Sequence, residues 1–185
     1  MYVFIDEIYL DFLEGEERET SYSLSENFIV ASSLTKVYGL GGLRCGWVIA
    51  PPPIARKLRV MNDYLIVEGV FMSEQISTKV IPLLDSLLEK NRPLINQNKS
   101  MIREFIHEDR WLSWVEPEGG VICFPRVEAR MSGDRLASIL RAKNDTSVVP
   151  GSYFGDAQHF RLGFGVSPAI LARGLENIKK ALSEP

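Results

Sequence analysis

The sequence is poor in the residues that metal and disulfide chemistry require. It has two cysteines and two histidines among 185 residues. Cys45 and Cys123 each sit in an apolar, strand-like run with no cysteine or histidine at metal-ligand spacing, so they read as small buried thiols in a reducing, cytoplasmic setting. His107 and His159 stand apart from any carboxylate or cysteine motif, which excludes a zinc hydrolase; no metal is expected. Charge of one sign is also lacking. The net charge is −3 and the basic residues are scattered rather than striped, so neither a nucleic acid nor an anionic membrane is an expected partner. No apolar run reaches membrane-spanning length, and Asp6, Glu7 and Asp11 make the first residues read as something other than a secretory leader.

What is present is ordinary for a folded domain. Hydrophobic residues make up 45% and charged residues 24% of the chain, which excludes disorder and low complexity. The length suits one sizeable domain, or one and a part. Residues 2–6 and 28–33 are short, continuous apolar runs of the kind that form strands buried on both faces. The acidic stretch between them, residues 11–27, reads as a solvated loop with one helical turn. A third strand at 45–50 is stopped by Pro51, Pro52 and Pro53.

Helices follow. Residues 53–66 place apolar side chains at helical spacing with a proline in the first turn. A second helix is expected from Ser73 to about Lys90, kinked or split at Pro82, and a third from near Pro93 to about His107. From Trp111 the pattern becomes α+β. Trp111–Val115 and Gly120–Val127 read as two strands joined by a turn at residues 116–119. Ser132 caps a helix through Lys143, residues 146–150 and 158–163 read as short strands, and Ser167-Pro168 opens a last helix with Leu175, Ile178 and Leu182 on one face.

One segment carries chemistry. Ser33-Leu34-Thr35-Lys36 is followed by Gly39, Gly41, Gly42 and Arg44, so an amine, a hydroxyl and a fixed cation come from one Gly-rich turn. That combination suits a phosphate-bearing cofactor with a reactive aldehyde. A lysine that attacks an aldehyde must be neutral, and burial beside a cation such as Arg44 would favour that form. Upstream, the run Tyr2-Val3-Phe4-Ile5 ends in Asp6, with Tyr9 three positions on. A carboxylate at the carboxyl end of a buried strand stands where open α/β sheets bind ligands, and it can pair with a protonated ring nitrogen. Near the other end, Arg161 precedes Leu162-Gly163-Phe164-Gly165, and a fork-shaped cation there matches a carboxylate.

Together the stretches D-E-I-Y, S-L-T-K-V-Y-G-L-G-G-L-R-C-G-W and H-F-R-L-G-F-G resemble the fold-type-I pyridoxal-phosphate (PLP) aminotransferases of class I/II, the aspartate-aminotransferase-like group. The resemblance implies an α/β fold: part of a PLP-transferase large domain with a mostly parallel sheet over residues 1–82, then an α+β small carboxyl-terminal domain over 83–185. It implies that Lys36 forms the Schiff base with pyridoxal 5′-phosphate and serves as the acid/base. Asp6 would hold the pyridine nitrogen, Tyr9 the ring hydroxyl, Ser33 and Arg44 the phosphate, and Arg161 the α-carboxylate of the substrate. Amino group transfer between an amino acid and a 2-oxo acid is the expected reaction. The resemblance covers only the carboxyl-terminal half of such enzymes, so a truncated or split form is expected, working as a homodimer or with a separate chain that supplies the other half. The alternatives are a related PLP-dependent decarboxylase or lyase, and a non-catalytic remnant acting in oligomerisation or partner binding.

Overall fold

A computed structural model describes residues 1–13, 18–128 and 131–183. Residues 14–17, part of the expected acidic loop, lie outside it. The chain is α/β and divides into two compact units, Met1–Asn91 and Arg92–Pro185. The division between these units falls inside a helix.

In the first unit, β1 (Val3–Asp6), β2 (Phe28–Ser33) and β3 (Gly46–Ile49) form a three-stranded sheet in the order β1-β2-β3. β1 runs parallel to β2 with Asp6 opposite Ala31, whereas β2 and β3 are antiparallel with Ser33 opposite Gly46. The described part of the sheet thus holds one parallel and one antiparallel strand pair. The β2–β3 connection is a loop with a single 3₁₀ turn, Gly41–Leu43, and lacks the crossover helix that a parallel return usually takes. Leu34 N–H donates to Cys45 O at 3.0 Å, carrying the ladder into that loop.

The strands differ from expectation in burial. Within β2, Val30 is buried, but Tyr2 and Phe4 are 53% and 63% exposed. β1 lies at the sheet edge and lacks the second cover that its apolar sequence anticipates. The same holds for α1 (Pro52–Leu65), which starts with prolines in its first turn and buries none of its side chains. Proline suits that turn because the first N–H groups of a helix have no internal partner. α2 (Phe71–Val80) buries only Ser77, and Pro82 ends it in a 3₁₀ turn at Ile81–Leu83, a split that the sequence anticipated.

The helix expected to start near Pro93 is overturned. α3 runs unbroken from Leu84 to Glu108 with Pro93 inside it. An interior proline removes one helical hydrogen bond and costs about 3 kcal/mol. Burial of an apolar stripe offsets that cost: Leu88 joins the core of the first unit, and Ile102 and Ile106 join the core of the second.

The second unit is α+β. β4 (Leu112–Ser113) pairs with β6 (Arg126–Val127), while β5 (Ile122–Cys123) and β7 (Val149–Pro150) flank β8 (Phe160–Gly163), all antiparallel. The single strand expected over 120–127 is therefore two. Pro125 has no N–H to donate, so the ladder changes partner there, and its carbonyl accepts from Phe160 N at 3.0 Å. α4 (Gly133–Lys143) is capped as expected, Ser132 Oγ accepting from Arg135 N at 3.1 Å. α5 (Pro168–Ser183) buries Leu171, Leu175, Ile178, Ala181 and Leu182 against Leu136, Leu140, Phe160 and Phe164. Each fully buried Leu or Ile of this face contributes roughly 1.5–3 kcal/mol.

Candidate functional site

The antiparallel return of β3 puts the carboxyl ends of β1 and β2 and the amino end of β3 at one edge of the sheet. Asp6 is the last residue of β1, Ser33 the last of β2, and Arg44 comes two residues before Gly46, the first of β3. The register keeps them there. Gly46 faces Ser33 so closely that a Cβ at position 46 would stand 3.0 Å from both Ser32 O and Ser33 Cβ. A larger residue would push β3, and the Arg44 loop with it, away from β2.

Lys36 follows β2 in a tight turn. Gly39 N–H donates to Lys36 O at 3.1 Å and Leu40 N–H to Leu34 O at 3.1 Å. The turn needs Gly39 at a φ of 69°, a backbone region that suits glycine. Leu34, Val37 and Tyr38 are buried and anchor it, which leaves Lys36 exposed and its amine without a partner among the described residues. The burial that would favour a neutral amine is thus not supplied by the described residues. Ser33 Oγ accepts from Thr35 N at 3.2 Å and shares a hydrogen bond with Thr35 Oγ1 at 2.6 Å. Thr35 is thus a second hydroxyl in the turn. Its spacing two residues after Ser33 is the signal that could have assigned it.

Arg44 is held in the left-handed region at φ 50°, unusual for a residue with a side chain. Its Nη1 donates to Gly41 O at 3.3 Å, and the guanidinium is otherwise exposed. Arg44, Cys45, Gly46, Asn62, Ser73 and Glu74 are among the residues lining a cavity of about 230 Å³.

Asp6 is exposed. Its Oδ1 accepts from Ile8 N at 3.1 Å, leaving Oδ2 unpartnered among the described residues. The adjacent carboxylate, Glu7, whose burial no sequence pattern signals, is the buried one. Glu7 accepts from Thr20 Oγ1 at 2.8 Å and Ser21 N at 2.7 Å, tying the exit of β1 to the next segment. Tyr9 follows at the start of a short 3₁₀ turn, half-buried and stacked on Phe12 with 6.0 Å between ring centroids. Asp6, Tyr9, Ser33, Lys36 and Arg44 therefore all belong to the first unit, four of them at or beside one sheet edge.

Arg161 belongs to the second unit, on β8 opposite Val149. No ion pair to a nearby glutamate holds it among the described residues. Its guanidinium carbon lies 5.0 Å from the centre of the Phe154 ring. Among the described residues no group of three or more His, Cys, Asp and Glu is placed to hold a metal ion, and no helix is long and apolar enough to cross a membrane.

Residues 1–178 match the model of the family described as aminotransferase class I and II. The chain belongs to this family. Among curated relatives, capreomycidine synthase of Streptomyces vinaceus is 31% identical over 81% of the chain and 39% of its own length. An aspartate aminotransferase of Streptomyces avermitilis is 25% identical over 100% of the chain and 49% of its own length. A solved PLP-dependent aminotransferase from Streptococcus suis superposes with a TM-score of 0.93 at 24% identity, over 100% of this chain and 50% of that one, and so shares its fold. The chain spans about half the length of the curated relatives that match it end to end.

Proposed function

We propose that this chain carries the cofactor-binding sheet edge and the substrate-carboxylate arginine of a pyridoxal 5′-phosphate enzyme that moves an amino group between an amino acid and a 2-oxo acid. The observation that carries this reading is the gathering of Asp6, Ser33, Lys36 and Arg44 at one edge of one sheet, in a chain of this family. The donor set fits the group by its chemistry. A fixed guanidinium and two adjacent hydroxyls, Ser33 and Thr35, suit a phosphate; an unpartnered amine suits an aldehyde; an open carboxylate oxygen on Asp6 suits a protonated ring nitrogen.

When bound, the cofactor supplies an aldehyde carbon for the amine and a ring that accepts electrons. The remaining roles belong to the chain. Arg44, Ser33 and Thr35 would anchor the phosphate, and the φ of Arg44 would hold its cation at the mouth of the loop. Asp6 Oδ2 would keep the proton on the ring nitrogen, and the Tyr9 hydroxyl would donate to the ring hydroxyl. Lys36 Nζ would take and return the proton of the substrate α-carbon, a general acid/base role that needs no second group. Arg161 would pair with the substrate carboxylate.

In this reading the unit Met1–Asn91 is part of the cofactor-binding large domain and Arg92–Pro185 is the small domain. The working assembly is a homodimer or a complex with a chain bearing the other half, a reading supported by the exposed apolar residues of β1 and α1. A reducing, cytoplasmic setting accords with two free thiols, Cys45 and Cys123. A second reading, PLP chemistry other than transamination, is favoured by the 31% identity to capreomycidine synthase.

The test is covalent trapping. After incubation with PLP and borohydride reduction, peptide mass mapping should find the pyridoxyl group on Lys36, and Lys36→Ala should abolish it. An adduct mainly on Lys57, or spread evenly over several lysines, would overturn the assignment.

A further inference from the structure

The segment before β8 is folded by close backbone contacts. A Cβ on Gly151 would overlap the carbonyl oxygens of Asp156 and His159, so only glycine lets the chain double back there. Gly155, at φ 86°, closes the 3₁₀ turn Gly151–Phe154. Asp156 N–H donates to Gly151 O at 3.2 Å, and Ser152 N–H donates to Asp134 Oδ1 at 3.1 Å, which pins the turn to the start of α4. The side chain delivered by this turn is Phe154.

Three further groups stand in a row with it. The Phe124 ring meets Phe154 edge-on with 5.6 Å between centroids, and His159 stacks on Phe124 at 4.7 Å with 10° between planes. His159 Nδ1 lies 3.0 Å from Asp156 Oδ2. At the open end of the row stands Arg161, its guanidinium carbon 5.0 Å from the Phe154 centroid, inside the roughly 6 Å reach of a cation–π contact. No described residue accepts a hydrogen bond from that guanidinium. The ring contact engages the cation through its charge, whereas the N–H donors are left for another acceptor.

We propose that Phe154, braced by Phe124 and His159, is a positioning residue that orients Arg161 to receive a carboxylate with its N–H donors unspent. This rests on the reading of Arg161 as the carboxylate-binding residue. A carboxylate neighbour would orient the arginine equally well but would compete with the substrate for the same N–H groups. An aromatic face orients it without competing.

The experiment uses the full chain labelled with ¹⁵N, pyruvate as the carboxylate probe, and the Nε–H resonance of Arg161 as the readout. In the unmodified chain that resonance should lie upfield of ordinary arginines, through the ring current of Phe154, and should move on pyruvate titration. Phe154 is 50% exposed, so Phe154→Leu should fold, as an unchanged pattern of backbone amide signals would show. It should return the resonance to its ordinary position and weaken pyruvate binding by about two- to five-fold. Phe154→Tyr should restore both. Arg161→Lys should weaken binding in either case. Loss of binding in Arg161→Lys with an unchanged Kd in Phe154→Leu would overturn the positioning role alone. Unchanged binding in Arg161→Lys, or no binding by the unmodified chain, would overturn the carboxylate reading and this inference with it.

Discussion

The buried phenol of Tyr38 donates a hydrogen bond to Asp11 Oδ2, tying the Lys36 turn to the segment that follows β1. Asp11 also accepts from Arg18 Nε at 2.9 Å, and Arg18 reaches on to Asp85 at 2.7 Å, so Tyr38 enters a charged network. Burial and the carboxylate together raise the pKa of Tyr38 well above the usual phenol value, about 10. The folded chain then keeps a proton that the unfolded chain loses. Stability contributed by Tyr38 is fully present below pH 10 and falls as pH rises beyond it. Urea unfolding at several pH values should show this decline, and Tyr38→Phe should flatten it while costing about 1.5–3 kcal/mol at neutral pH. An unchanged decline in Tyr38→Phe would assign it to other groups.

Arg44 combines a backbone suited to glycine with a side chain suited to an anion. Arg44→Ala keeps the left-handed strain and loses the cation, whereas Arg44→Gly loses both. The glycine variant should therefore be more stable than the alanine variant by about 1 kcal/mol. Both should weaken PLP binding roughly ten- to a hundred-fold, the magnitude of a charge-assisted hydrogen bond. Thermal melts and absorbance titrations separate the two effects, and equal stability of the variants would remove the strain argument.

Asn98 is fully buried on α3, where its Nδ2 donates to Phe164 O at 2.7 Å and to Val166 O at 2.8 Å. It thereby fixes the chain just beyond β8. Asn98→Ala leaves both carbonyls without that donor and should cost about 2–4 kcal/mol in urea unfolding. Asn98→Asp should cost more, since it sets an acceptor against two acceptors. A loss under 1 kcal/mol in both variants would mean that these carbonyls find other donors.

Much of how much was legible in the sequence follows from distance along the chain. Ser132 as a cap, Pro82 as a break and the stripe Leu175-Ile178-Leu182 were readable because the physics that decides them is local. Family membership was readable too, because the motifs that carry it are short and dense. Pro93 misled because its local cost is outweighed by burial of Ile102 and Ile106, contacts that lie outside any helix-start pattern. The antiparallel return of β3 goes with a connection, residues 34–45, that holds one 3₁₀ turn and no crossover α-helix, which strand periodicity does not report. Glu7 and Phe154 went unassigned for the same reason: Glu7 bonds to Thr20 and Ser21, and Phe154 meets Phe124 and Arg161.

The edge strand β1 exposes Tyr2, Val3 and Phe4, and α1 exposes Met61, Tyr64 and Leu65. Unpaired strand edges with apolar faces promote association. Light scattering over a dilution series should show a dimer, a higher oligomer or aggregation, and Val3→Lys together with Phe4→Lys should reduce it. A stable, cooperatively folding monomer at all concentrations would contradict this.

The two thiols are chemically unequal. Burial pushes the Cys123 thiol up to about 12, so at neutral pH almost none of it is thiolate and alkylating reagents should pass it by. Cys45 is half-buried and directly follows Arg44. The unmodified chain therefore offers a single natural attachment point for a fluorescent or spin probe beside the Arg44 loop, with no cysteine to add or remove.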